Sequence, residues 1–262
     1  AEERLLKAES SKTYLGIPGA PEYGVAVQQM LFGAGSEIIK SKRAVTAHTP
    51  GGTAALRVGG DFIKKMLPGA TIWLSAPTWE NHGAVFASAG LEVKTYPYYD
   101  AQNKCLAFDD MIKTLETVPA GDVVLFHACC HNPTGMDPDA GQWRAIADVA
   151  AKRGFLPFLD FAYQGLGDGL EEDAVGARIM CNAVREIIIA SSFSKNFGLY
   201  NERVGALTIV SDTEDAAQRV FSQMKICIRT NYSNPPCHGG AIVTTILNDP
   251  ELRTLWDGEV KM

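Results

Sequence analysis

The chain has 262 residues, with 24 Lys and Arg against 30 Asp and Glu, a formal charge of −6. Its 46% hydrophobic and 21% charged residues exclude a disordered chain, and the length is ample for a buried core. An acidic balance offers no general attraction to phosphate backbones or anionic lipid, and no run approaches the roughly 18 apolar residues of a membrane span, so neither nucleic acid nor membrane is expected as a partner.

The opening, AEERLLKAES, is charged and lacks the apolar core of a secretory signal. The first informative stretch is Thr49-Pro50-Gly51-Gly52-Thr53, which leads into a predicted helix over 53–67. Two glycines let the backbone approach a ligand, and the N–H groups of a helix start favour an anion; a tight turn with a threonine cap is the plainer alternative. Apolar, β-branched runs predict strands over 70–75, 91–96, 122–127, 155–160 and 187–191. Amphipathic stretches predict helices over 80–89, 108–118, 139–153 and 171–185 between them. Such alternation implies an α/β domain, a mostly parallel sheet with helices on both faces. The run 203–210 follows 187–191 after a loop too short for a parallel crossover, so one antiparallel strand is expected.

Helical patterns over 213–228 and 236–247 follow. The last one has Asp249 as N-cap and Pro250 at the first helical position, with Leu252, Leu255, Trp256 and Val260 forming its apolar stripe. No Gly or Pro stop closes that pattern after Val260, so the sequence reads as part of a longer chain. The six cysteines (Cys105, Cys129, Cys130, Cys181, Cys227, Cys237) form no CxxC pair or dense framework, which suits a reducing, cytoplasmic setting. In His127-Ala128-Cys129-Cys130-His131, adjacent cysteines on a strand point to opposite faces, so no metal site is expected there.

Chemistry in such sheets collects where strands end and loops begin. Asn132, in His131-Asn132-Pro133-Thr134-Gly135, sits where its amide could enter a strand-end crevice. Asp160 ends a very apolar strand, a place for a cap or for a partner to a buried cation, and Tyr163 follows one short turn later. Lys195 stands in the hydroxyl- and glycine-rich loop Ser191-Ser192-Phe193-Ser194-Lys195-Asn196-Phe197-Gly198, and Arg203 opens the next strand. Singly, each has a bland explanation as a turn, a cap or a solvated charge. Together they supply a lysine for imine formation, an aspartate for a ring nitrogen and a phosphate cup of Gly52, Thr53, Ser192 and Arg203, the parts a pyridoxal phosphate site requires.

Several long stretches, in order, carry a family resemblance: SKTYLGIPG from Ser11, TPGGTAALR from Thr49, PTWENH from Pro77 and HACCHNPTG from His127. FLDFAYQG from Phe158, SSFSKNFGLYNERVG from Ser191 and IRTNYSNPPCHG from Ile228 complete it. The sequence resembles the aspartate/aromatic aminotransferase group of pyridoxal-phosphate enzymes. The resemblance implies that Lys195 binds the cofactor covalently and shuttles the substrate proton, and that Asp160, backed by His82, pairs with the ring nitrogen. It implies that Asn132 and Tyr163 donate to the ring oxygen, that Trp79 covers the ring with His127 behind it, and that Gly52, Thr53, Ser192 and Arg203 hold the phosphate. Trp79, Asn132 and Arg229 would face substrate. Tyr14 would reach the phosphate of a neighbouring subunit, and Arg229 would cross to pair with the distal carboxylate of its substrate, so a homodimer with shared sites is implied.

Gly51 departs from relatives that carry a phosphate-binding serine there. The family's chains also extend further at both ends, so residues 1–262 are expected to be the cofactor-binding large domain, without an N-terminal arm, small domain or α-carboxylate arginine. The expected activity is amino transfer between L-aspartate and 2-oxoglutarate. Alternatives are aromatic-amino-acid transamination, a fragment that holds the cofactor without turnover, and decarboxylase or β-lyase chemistry, which Arg229 disfavours because its cation suits a dicarboxylic substrate.

Overall fold

Three strand segments, Val123–His127, Ile187–Ser192 and Val204–Val210, are buried at every position, which requires cover on both sheet faces. The computed structural model describes residues 1–261. Its elements begin with α1 (Glu2–Ala8), α2 (Pro21–Phe32), α3 (Glu37–Lys40), β1 (Ala44–Pro50), α4 (Gly52–Met66), β2 (Thr71–Ala76) and α5 (Asn81–Ser88). Next come β3 (Glu92–Pro97), the short hairpin β4 (Tyr99–Asp100) and β5 (Cys105–Leu106), α6 (Phe108–Leu115), β6 (Val123–His127), α7 (Ala140–Arg153) and β7 (Leu156–Phe161). The chain continues through α8 (Val175–Ala183), β8 (Ile187–Ser192), β9 (Val204–Val210), α9 (Glu214–Asn231), α10 (Cys237–Asn248) and α11 (Pro250–Val260).

Seven strands form one sheet in the order β1-β9-β8-β7-β6-β2-β3. β9 runs against both of its neighbours, and every other pairing in this sheet is parallel. The single reversed strand is therefore where the short Phe193–Arg203 connection predicts it. Successive side chains feed opposite faces. Val124, Phe126, Leu159 and Ile189 join one core with α2, α6, α7 and α8, while Val123, Leu125, Phe158 and Ile188 join a second core with α4, α5 and α9.

Some elements depart from expectation for local reasons. β1 is not legible in the pattern because its Thr46, His48 and Thr49 are polar yet buried; Thr46 and Thr208 hydroxyls meet at 2.9 Å across to β9. Helix α8 begins at Val175 rather than near 171, since the Asp173 carboxylate accepts from the backbone N–H groups of Gly165, Gly167 and Asp168 and holds that segment as a loop. The capped start of α11 matches expectation, with Asp249 accepting from Leu252 N at 2.9 Å. Its Trp256 is buried, stacks on Phe197 at 4.2 Å and donates to the Asn196 carbonyl at 2.7 Å, so this helix braces the loop after β8. Among the described residues, no helix is long and apolar enough to cross a membrane.

Candidate active site

The carboxyl ends of β6, β7 and β8 lie level, with His127 opposite Asp160 and Asp160 opposite Ala190. A cavity of about 220 Å³ opens there, between the α4 start and the loops after β2, β6, β7 and β8. Asp160, Asn132, Tyr163, Lys195, Trp79 and His127 all face it, although they come from segments as far apart as residues 79 and 195. Lys195 is half-buried, and its Nζ lies 3.8 Å from the centroid of the Tyr163 ring.

One wall is built for an anion. Helix α4 starts after Gly51, whose φ of +86° is a left-handed conformation that glycine adopts without strain. A Cβ at position 51 would meet the Arg203 guanidinium, so glycine here leaves room for that group against the helix start. A Cβ on Gly52 would come within 2.8 Å of the Ser192 Cβ, so glycine lets the helix start sit on that serine. Thr53, Ser192 and Arg203 line the same wall. The Arg203 guanidinium is aimed by hydrogen bonds to Ser194 Oγ at 3.3 Å and to the Tyr200 carbonyl at 2.9 Å. Unpaired N–H groups at a helix start, beside a guanidinium and two hydroxyls, favour a phosphate.

The opposite side is a chain of hydrogen bonds. His82 Nε2 lies 2.8 Å from Asp160 Oδ2, His82 Nδ1 lies 2.8 Å from Thr78 Oγ1, and Thr78 Oγ1 lies 3.0 Å from His127 Nε2. Asn132 N donates to His127 Nδ1 at 3.5 Å, a long contact. The directions follow from the ends. His127 Nδ1 accepts, so its Nε2–H donates to Thr78; the Thr78 hydroxyl then donates to His82 Nδ1, and His82 Nε2–H donates to the carboxylate. Burial opposes charge on Asp160, but the His82 hydrogen bond and the fields of His82, His127 and Lys195 outweigh it and hold its carboxyl below the ordinary carboxylate range. Burial, helped by the neighbouring His82 and Lys195, takes His127 down to about 4 against the pull of Asp160, and burial beside His127 and His82 takes His131 down to about 3. The result is a buried, ionised carboxylate facing the cavity.

Thr78, Ser194, Cys129 and Tyr200 belong to this site although their residue types did not single them out. Thr78 lies in the loop before α5, so no helical spacing links it to His82 in the sequence. Tyr14 and Arg229 do not join the cavity: Tyr14 is 91% exposed, and Arg229 is exposed and donates to Ser233 Oγ at 3.2 Å. The expectation that Cys129 and Cys130 point apart is wrong. Both lie beyond the end of β6, Cys130 has a φ of +48°, and their thiols come within 4.8 Å of one another and of the Asp173 carboxylate.

The donor set fits pyridoxal phosphate: an amine, a buried carboxylate for a protonated ring nitrogen, an amide and a phenol on one edge, and an anion cradle on the other. Residues 1–261 match the family described as aminotransferase class I and II. The chain is 55% identical to the aspartate aminotransferase of Escherichia coli over 260 residues, which are 99% of this chain and 66% of that one. It is 47% identical to the aromatic-amino-acid aminotransferase of Pseudomonas aeruginosa, across 100% of this chain and 65% of that relative. A solved aromatic-amino-acid aminotransferase from Burkholderia pseudomallei, covalently bound to pyridoxal phosphate, superposes with a TM-score of 0.97 at 48% identity, covering 99% of this chain and 65% of that one. The chain thus spans slightly less than two thirds of the length of these relatives.

Proposed function

The chain belongs to the class I and II aminotransferases, and we propose that it is the cofactor-binding part of an enzyme transferring the amino group between L-aspartate and 2-oxoglutarate. The observation that carries this reading is the convergence of Lys195, Asp160 and the Gly52–Arg203 anion wall on one cavity. When bound, pyridoxal phosphate supplies an electron sink for the pair released as the substrate Cα–H bond breaks.

The chain's own residues do the rest. Lys195 would hold the cofactor through Nζ, and the same amine is placed to take the substrate Cα proton and return it. Asp160 would accept from the ring N–H and keep that nitrogen protonated; the His82–Thr78–His127 relay aims the carboxylate. Asn132 and Tyr163 would donate to the ring oxygen, Trp79 would cover the ring, and Gly52, Thr53, Ser192 and Arg203 would hold the phosphate.

Aspartate is favoured by the names of the relatives, since those at 55%, 54% and 49% identity are aspartate aminotransferases. Arg229 supports it, as a guanidinium free to meet a distal carboxylate across a dimer interface. The exposure of Tyr14 and Arg229 on this chain supports a homodimer in which each completes the other copy's site, and a cytoplasmic setting accompanies it. The second reading, aromatic-amino-acid transamination, is favoured by solved relatives such as one from Burkholderia cenocepacia, at 45% identity and a TM-score of 0.98. Steady-state turnover of aspartate and phenylalanine by the full enzyme separates the two. Faster aspartate turnover is expected; a phenylalanine kcat/KM well above that of aspartate overturns the assignment.

A further inference from the structure

At the edge of the cavity that Cys129 lines, the loop after β6 meets the loop after β7. There the Cys129 and Cys130 thiols and the Asp173 carboxylate have ligand atoms all within 4.8 Å of one another. From this juxtaposition we propose that Cys129, Cys130 and Asp173 form a site for one thiophilic divalent cation of the Zn²⁺ or Cd²⁺ class.

Several features assemble the three ligands. Cys130 sits at a φ of +48°, a left-handed conformation uncommon outside glycine, and this turns its side chain toward that of its neighbour. The conformation is held by Asp137, whose carboxylate accepts from the backbone N–H groups of Cys130 and His131 at 2.5 and 2.8 Å. The third ligand is equally fixed. Asp173 accepts from Gly165 N at 2.8 Å, Gly167 N at 3.0 Å and Asp168 N at 2.8 Å, which leaves about one of its four lone-pair directions free. Held ligands of this kind are the outer-shell arrangement that orients metal sites.

The distances suit a small ion. Zinc sits about 2.3 Å from sulphur and about 2.0–2.2 Å from oxygen, so tetrahedral ligand atoms stand roughly 3.5–3.8 Å apart. From a separation of 4.8 Å at most, the three groups therefore close by roughly 1.3 Å or less, within the reach of thiol rotation. Two thiolates and a carboxylate give a soft donor set with charge to match a divalent ion, and leave a fourth position for water. Cys129 and Asp173 are buried while Cys130 is half-buried, so the ion enters from the Cys130 side. Because Cys129 also lines the cofactor cavity, occupancy draws on a wall of the active site.

The test uses the reduced full enzyme with Cys105→Ser and Cys237→Ser, which removes the two exposed thiols. Titration with Cd²⁺ alone is followed by the ultraviolet thiolate-to-cadmium charge-transfer absorbance and by equilibrium dialysis. The expected result is one Cd²⁺ per chain, displaced by Zn²⁺, with Cys130→Ser weakening binding by at least tenfold and removing much of the absorbance. X-ray absorption at the cadmium edge on the unmutated enzyme, which requires no folding control, is expected to give two sulphur neighbours. No uptake, uptake unaffected by Cys130→Ser, or an edge spectrum with only oxygen and nitrogen neighbours would overturn the proposal.

Discussion

Buried histidines occur at two places in this molecule, and the two differ in what surrounds them. At the carboxyl ends of β6 and β7, both ring nitrogens of His82, of His127 and of His131 have partners: Asp160 and Thr78, Thr78 and the Asn132 amide, Ser75 and Thr134. On β1, His48 is equally buried, packs at 4.4 Å from the Tyr23 ring, and leaves its Nε2 without a partner. Burial takes both His48 and His127 down to about 4, so both stay neutral at neutral pH. Low titration alone therefore does not mark a functional histidine. What distinguishes the first group is a directed chain ending on a carboxylate that faces a cavity.

The contrast can be broken at graded points. Replacing Lys195 by Ala removes the covalent anchor and the proton carrier together, and turnover is expected to fall on the order of 10⁴-fold or more, measured by single-turnover kinetics. Asp160→Asn keeps the shape but loses the charge at the far end of the relay, with an expected loss of roughly 10²–10³-fold in kcat. Retention of full kcat by Asp160→Asn would remove the carboxylate from the account.

Thr78→Val is near isosteric and strips the hydroxyl joining His82 to His127. Each buried ring nitrogen left unpaired costs about 1–3 kcal/mol, so denaturant unfolding should report that loss and kcat a drop of roughly tenfold. Thr78→Ser keeps the hydroxyl and should restore both. At His48 the expected effect is smaller and confined to acid. Its folded-state pKa lies below its unfolded one, so the unfolded chain binds the extra proton and stability is lost as pH falls from about 6.5 toward 4. His48→Gln removes that proton from the balance; melting temperatures across this window should fall less steeply than in the parent, with kcat unchanged at neutral pH.

Much of the fold was legible because its cause is local. The apolar strands β6 to β9 and the amphipathic helices between them follow from periodicity, and the reversed strand follows from a loop too short to cross over. β1 was not, because a strand carrying Thr46, His48 and Thr49 is buried only once β9 pairs with it and α2, α4 and α9 pack on it. In the site, Lys195, Asp160 and Arg203 stood out through their residue type at strand ends. Thr78 did not, since its role exists only where three loops meet, and the mutual approach of Cys129 and Cys130 depends on one left-handed residue.

The central claim is that Lys195 carries the cofactor. The most direct measurement is borohydride reduction of the full enzyme loaded with pyridoxal phosphate, followed by peptide mass mapping. The account predicts the added mass on the peptide containing Lys195, and its absence when excess aspartate is supplied first. Label on a different lysine, or label on the Lys195→Ala protein at parental yield, would contradict it.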